Sequence, residues 1–359
     1  MRWLIALGVL GACHRVFGVT PSSNDALTEA CYGTFVTVCT EDSPIERMIT
    51  ADTTLETSGG SECATLSRGP DVCLVLATTF DISSGATVRG AGARPLVVVA
   101  TQTLSIAGTL TVASYASDDA GAGSGGAPCS SGTAPSAADG VGAGGAGGSF
   151  VTMGGIGRRG RLTDDTLPGS ESRPGPPQPL LAELRGGCAG ISGAGTTSAP
   201  GGDGGGAIAL ISPIISVAGR LDASGSPGAG GATSRNGGGG GGSGGMIVLD
   251  AATISVTGSV LANGGAGGEG ATGSSNGEDG KLSPDWASEP DGGNRHIGGN
   301  GGDGAFLSFE AEDGRSPSGA NDGGPHHAGG GGGGGGAGLV HVVPYAPVPS
   351  TTPPPMPAP

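Results

Sequence analysis

Several side chains in this sequence have the types and spacing that chemistry uses. The run Gly241-Gly242-Ser243-Gly244-Gly245 matches the G-x-S-x-G turn that lifts a nucleophilic serine above a sheet. That turn needs a strand before it, a helix after it, and an acid and a histidine further on. Here it lies inside a glycine tract with no helical pattern following, so a chance match is the expectation. Gly298-Gly299-Asn300-Gly301-Gly302-Asp303 is similar to one calcium-binding nonapeptide, with Asp303 as a weak calcium candidate. Such sites share each ion between successive repeats, but only one copy is present and Phe306 falls one place late, so a glycine-rich turn is expected. His326-His327 lacks a third converging ligand and reads as surface loop. Arg158-Arg159-Gly160-Arg161 is a short basic patch and reads as a solvated turn.

The chain has seven cysteines. Cys13 ends Leu10-Gly11-Ala12-Cys13, which follows Arg2 and the short apolar stretch 3–10. That order fits a lipoprotein signal peptide over 1–12 with Cys13 lipidated. The alternative is a secretory signal cut after Gly18, with Val16 and Gly18 at the small-residue positions and Arg15 unfavourably close. Either route leaves Cys31, Cys39, Cys63, Cys73, Cys129 and Cys188. An even set in an exported chain points to disulfides, with the pairing open. A bridge from Cys129 to Cys188 would close a loop of about 60 residues and stabilise by roughly 4 kcal/mol. No CxxC spacing and no nearby histidine argue for zinc.

These residues are positioned by a repeat. Residues 95–114 (PLVVVATQTLSIAGTLTVAS), 206–225 (GAIALISPIISVAGRLDASG) and 245–264 (GMIVLDAATISVTGSVLANG) align without a gap. Ser105, Ser216 and Ser255 share one column, and Gly108, Gly219 and Gly258 another. Each copy divides into three short strands, the length of one coil of a parallel β-helix. Alternation places Val97, Val99, Leu104, Ile106, Leu110 and Val112 inward. The fold expected is all-β, a right-handed parallel β-helix-like solenoid; a β-sandwich is the alternative. A degenerate copy covers 73–88. Residues 13–30 read as a tether, 31–72 as a cysteine-rich cap, 73–343 as the spine, and 344–359 as a proline-rich tail unable to add a strand.

Glycine-rich insertions at 115–205, 226–244 and 265–337 all enter at one corner, between the third strand of one coil and the first of the next. Glycine runs precede each returning strand. Extended polyproline-II-like packing, where only glycine fits, is expected over flexible coil. Asp222 and Asp250, the acids of the three aligned copies, stand in different columns: Asp222 aligns with Leu261 and Asp250 with Ile211. No ladder of carboxylates forms for sugar cleavage. Aromatic platforms are lacking too, and Trp286 lies in a loop.

Of 359 residues, 80 are glycine, 3% are aromatic and 13% are charged, with a net charge of −15. That acidity excludes a basic nucleic-acid-binding face. The lipobox, the capped cysteines, Arg94-Pro95-Leu96-Val97-Val98-Val99-Ala100, Leu184-Arg185-Gly186-Gly187-Cys188 and the Gly-Gly-Met246-Ile247-Val248-Leu249 run resemble glycine-rich predicted surface lipoproteins of gliding, predatory Gram-negative bacteria. The resemblance covers most of 10–343. It implies an exported outer-membrane or cell-surface lipoprotein, or alternatively a secreted one, with no catalytic motif to transfer. The function expected is a non-enzymatic structural or adhesive envelope protein without a cofactor. Its expected partners are the membrane, through the lipid anchor, and extracellular polysaccharide or other surface proteins. The competing readings are a carbohydrate-active β-helix lyase or hydrolase, and a surface that binds ice or ordered water.

Overall fold

The computed structural model describes residues 29–116, 119–125, 129–130, 132–178, 183–283, 288–295, 297–317, 327–344 and 351–353. Cys13, Trp286, His326 and most of the tail lie outside them. The described residues contain β-strands and no helix. An N-terminal hairpin, β1 (Ala30–Tyr32) and β2 (Val38–Thr40), precedes the spine. The spine strands are β3 (Ile45–Ile49), β4 (Thr53–Glu56), β5 (Cys73–Ile82), β6 (Thr87–Ala91), β7 (Leu96–Ile106) and β8 (Thr109–Thr111). A two-residue pair, β9 (Ala137–Ala138) and β10 (Val141–Gly142), sits in the first insertion. The spine then resumes with β11 (Ala207–Ile211), β12 (Ile214–Val217), β13 (Arg220–Asp222), β14 (Met246–Asp250), β15 (Thr253–Val256), β16 (Ser259–Leu261), β17 (Leu339–Val343) and β18 (Thr351–Thr352).

Every pairing within the spine is parallel, and each strand lies beside its counterpart in the next coil. One sheet runs β4-β6-β8-β13-β16-β18. The other holds β3, β5, β7, β11, β12, β14, β15 and β17, because β5 and β7 continue across a corner that the later coils break with a turn. Parallel neighbours in sequence order make a solenoid-like stack, as the repeat implied.

The interior is filled by one row from each strand. Val98, Leu210 and Ile247 are among the inward residues of the first strands, Leu104 and Ile215 of the second, and Leu110, Leu221 and Val260 of the third. Here the expected phase of the first copy is corrected. Leu96, Val98 and Ala100 face the interior, while Val97 and Val99 face outward into a second cluster with Val36, Val38, Val72, Leu74 and Phe150. Ile208 pairs with Leu96, an offset of 112, whereas Ile214 pairs with Thr103, an offset of 111. The gap-free alignment therefore hides a one-residue slip in the first strand, and a slip of one turns every side chain to the other face. The strand could not show it, because it is buried on both sides and has no polar alternation to mark its phase.

The serine column is real: Ser216 pairs with both Ser105 and Ser255. It lies on the outward face, and its hydroxyls make no hydrogen bonds to each other, so it is a register mark and not a ladder. The glycine column has a different cause from a left-handed turn. A Cβ on Gly219 would lie 1.9 Å from the Gly108 carbonyl oxygen, and one on Gly258 1.9 Å from that of Gly219. Successive corners stack backbone on backbone, and a side chain has no room there.

Two boundaries move. Residues 45–56 are not only cap, since β3 and β4 pair with β5 and β6 and add a coil to the stack. The tail contributes a strand after all: Thr351 and Thr352 pair with Val260 and Leu261. These two residues lie between prolines and keep the backbone N–H groups that proline lacks.

Candidate functional site

The three insertions meet in one body at the corner where they leave the spine. Residues 141–150, 236–249, 260–272 and 328–342 are buried without a break, although most of them are glycine. Their amides alternate among three partners in a strict order. From residue 237 onward, the N–H groups of Gly237, Gly240 and Ser243 donate to Ala194, Ile191 and Cys188. Those of Gly238, Gly241 and Gly244 donate to Gly330, Gly333 and Gly336, and those of Gly239, Gly242 and Gly245 to Ala229, Ser226 and Ala223. A three-residue period with no internal hydrogen bond is the period of polyproline II.

The carbonyls complete the pattern. Gly238 and Gly241 accept from Gly145 and Gly148, Gly239 and Gly242 from Gly268 and Gly265, and Gly240 and Ser243 from Gly202 and Gly205. Segment 237–245 is thus enclosed by 187–194, 199–205, 223–231, 264–271, 329–338 and 142–148, in that circular order. Each of these is also bonded to the next: Gly187 to Gly205, Ala229 to Pro200, Gly228 to Ala266, Gly335 to Gly265, Gly330 to Gly142, and Ile191 to Ala146. The ring closes. Segment 329–338 has a second closed ring around it, made by 237–245, 264–271, 299–305, 312–315, 155–158 and 142–148. The result is a hexagonal array of extended chains running on into β11, β14 and β17.

This packing explains the composition. A Cβ on Gly240 would sit 2.0 Å from the Ala146 carbonyl oxygen, and one on Gly333 2.1 Å from that of Gly155. Alanine enters the array at positions such as Ala143, Ala146 and Ala266, which are fully buried. At the end away from the spine, the buried Asn236 side chain accepts from the Thr196 N–H at 2.8 Å and donates to the Thr233 carbonyl at 3.1 Å, tying two returning loops together. Ser172 works similarly inside the first insertion, accepting from the Ala146 N–H and donating to Thr133. Sequence reading missed both: Asn236 stands directly before the Gly237–Gly242 run, whereas Ser172, between Glu171 and Arg173, has no such signal.

The residues singled out for chemistry are mostly engaged in this framework. Ser243 is fully buried, accepts from the Cys188 N–H at 2.7 Å and donates to the Cys188 carbonyl at 3.2 Å. It bridges two chains of the array. Replacing Ser243 by alanine should lower stability by about 1–2 kcal/mol in denaturant titration. The wild type should take no label from a fluorophosphonate; stoichiometric labelling would restore the nucleophile.

Residues 298–303 form an extended segment of the array and not the glycine-rich turn expected. The Gly299 and Gly302 carbonyls accept from Gly270 and Gly267, and Asp303 accepts the Gly292 N–H at 2.7 Å. Beside it, Glu289 is held above the ordinary carboxyl range by burial and then by Asp303, Asp291 and Glu312. Arg158 does not stand free, since it pairs with Glu171 at 3.0 Å and Asp313 at 2.5 Å. Arg161 pairs with Asp165. His327 is driven below its usual pKa by burial and by Arg235.

Asp222 pairs in register with Leu261 and Asp250 with Ile211, the separate columns expected. Asp222 is buried, paired to Arg220 at 2.5 Å, and accepts the Ser224 N–H at 2.9 Å. Asp222→Asn should cost about 2 kcal/mol by loss of a charged, largely desolvated pair, read as a shift of the denaturation midpoint.

Cysteines pair as Cys31–Cys39, Cys63–Cys73 and Cys129–Cys188. Disulfides of this kind place the chain in an oxidising compartment outside the cytoplasm. Among the described residues no helix is long and apolar enough to cross a membrane. Near the third disulfide, Arg185 stacks over Phe150 at 5.3 Å, and burial holds its guanidinium below its usual pKa. Comparison with protein-family models, characterised proteins and solved structures returns no match to this chain.

Proposed function

We propose that this is a non-enzymatic exported envelope protein, structural or adhesive, anchored by lipid at Cys13. Its spine is a right-handed parallel β-helix that presents a rigid polyproline-II bundle of glycine-rich chains. The observation that supports this reading is the closed hydrogen-bond ring around 237–245. Long insertions are spent on making a stiff body, and their polar groups are consumed in holding it. The partners proposed are the outer membrane, through the anchor, and extracellular polysaccharide or surface proteins, through the exposed loops of the bundle. The carbohydrate-cleaving alternative finds Asp222 and Asp250 in different columns, the former committed to Arg220.

The test uses purified protein on a panel of bacterial and plant polysaccharides, scoring retention on the insoluble polymer and release of new sugar ends. Retention without cleavage is expected. Released ends that disappear in an Asp222→Asn, Asp250→Asn double variant would overturn the reading. Intact mass of the protein from membranes tests the anchor separately: a diacylated chain beginning at Cys13 supports it, and an unmodified chain beginning at Val19 removes it.

A further inference from the structure

The N-terminal hairpin does not seal fully against the spine. Between residues 30–34 and residues 99–101, 211–213, 250–252 and 343–344 of four successive coils lies a cleft of about 590 Å³. That volume is within the range of small-molecule sites, which favour the seam between two packed units. Its walls are mostly apolar, with Tyr32, Val99, Ile211, Pro213 and Val343 among them. Gly33 closes one side at a left-handed backbone, φ 91°, where a Cβ would come within 2.7 Å of the Ile211 side chain.

One wall residue breaks the pattern. Asp250 pairs in register with Ile211 on one side and with Val343 on the other, so a carboxylate occupies a position that is aliphatic in both flanking coils. An apolar site disfavours a bare carboxylate. Thr34 meets part of its need, donating its N–H to Oδ2 at 2.5 Å and its hydroxyl to Oδ1 at 3.5 Å. A carboxylate accepts about four hydrogen bonds, so capacity remains toward the cleft. No lysine or arginine is among the cleft residues, and the whole chain carries −15.

We propose that this cleft binds a small cationic amphiphile. Its apolar body lies along Val99, Ile211 and Val343, and its ammonium head sits at Asp250. At ~30 Å³ for each water-sized group the volume holds a body of about 20 such groups. This site is independent of the glycine bundle and of the lipid anchor.

Decyltrimethylammonium, kept below its micelle concentration, is the probe, with decyl sulfate as the same chain of opposite charge. Calorimetry on the disulfide-intact protein should show one saturable site for the cation and at least about tenfold weaker binding of the anion. Asp250→Asn should weaken the cation about five- to tenfold and bring the two probes together. Ala252→Trp adds bulk at an exposed cleft residue without touching the core, and should abolish binding of both. Equal affinity for the two charges, cation affinity unchanged by Asp250→Asn, or cation binding that survives Ala252→Trp would overturn the site.

Discussion

Replacing Gly240 by alanine is expected to destabilise this protein by about 3 kcal/mol or more. The added carbon would lie 2.0 Å from the Ala146 carbonyl oxygen, against a normal C···O approach of about 3.3 Å. In most proteins such a clash is relieved by moving the neighbour. Here the neighbour is backbone, and it is held: Ala146 accepts from the Ile191 N–H, while the Gly240 N–H donates to the Ile191 carbonyl. Moving one chain strains the ring on every side. The matched control is Gly59, which has open space and an ordinary φ. Gly59→Ala should be neutral or stabilise by about 0.4–1 kcal/mol, since alanine lowers the entropy of the unfolded chain. Denaturant midpoints of the two variants decide the matter, and similar values for both would mean that the array is not packed as described.

Removing the Cys129–Cys188 disulfide should have the second large effect, about 4 kcal/mol on the chain-entropy model for a sequence separation of 59. The bundle depends on such a tie. Ordering one glycine costs about 1–2 kcal/mol of backbone entropy, and one hydrogen bond returns about 0.5–1.5 kcal/mol, with no side chain buried to make up the difference. An array of this kind is marginal alone. It holds because its chains run directly into spine strands and because the disulfide encloses segments 142–148 and 155–158. With Cys129 and Cys188 both changed to serine, hydrogen exchange should quicken first at Gly237, Gly240 and Ser243, whose amides donate into 188–194. The amides of β11 and β14 should keep their protection. Uniform quickening across spine and bundle would show that the two unfold together and refute this local account.

The sequence by itself determined a good deal. Three copies of one strand pattern announced a parallel stack, the unequal spacing between copies put every insertion at one corner, and six cysteines announced the bridges. Side chains carried all of that information. Where side chains were uninformative, the tertiary structure decided. The first strand of the first copy is aliphatic on both faces, so only the packed interior reveals that Val98 points inward and Val97 outward. Residues 351–352 gave no strand signal, and their pairing with β16 arises from a neighbouring edge that the chain reaches through prolines. The glycine array is the extreme case. A residue with no side chain cannot encode its neighbour, so nothing at 237–245 names the six segments around it. Their identity follows from where the spine releases and recovers each chain, together with a few polar pins such as Asn236, Ser172 and Ser243. Composition demanded close backbone packing, and the geometry of the stack chose the partners.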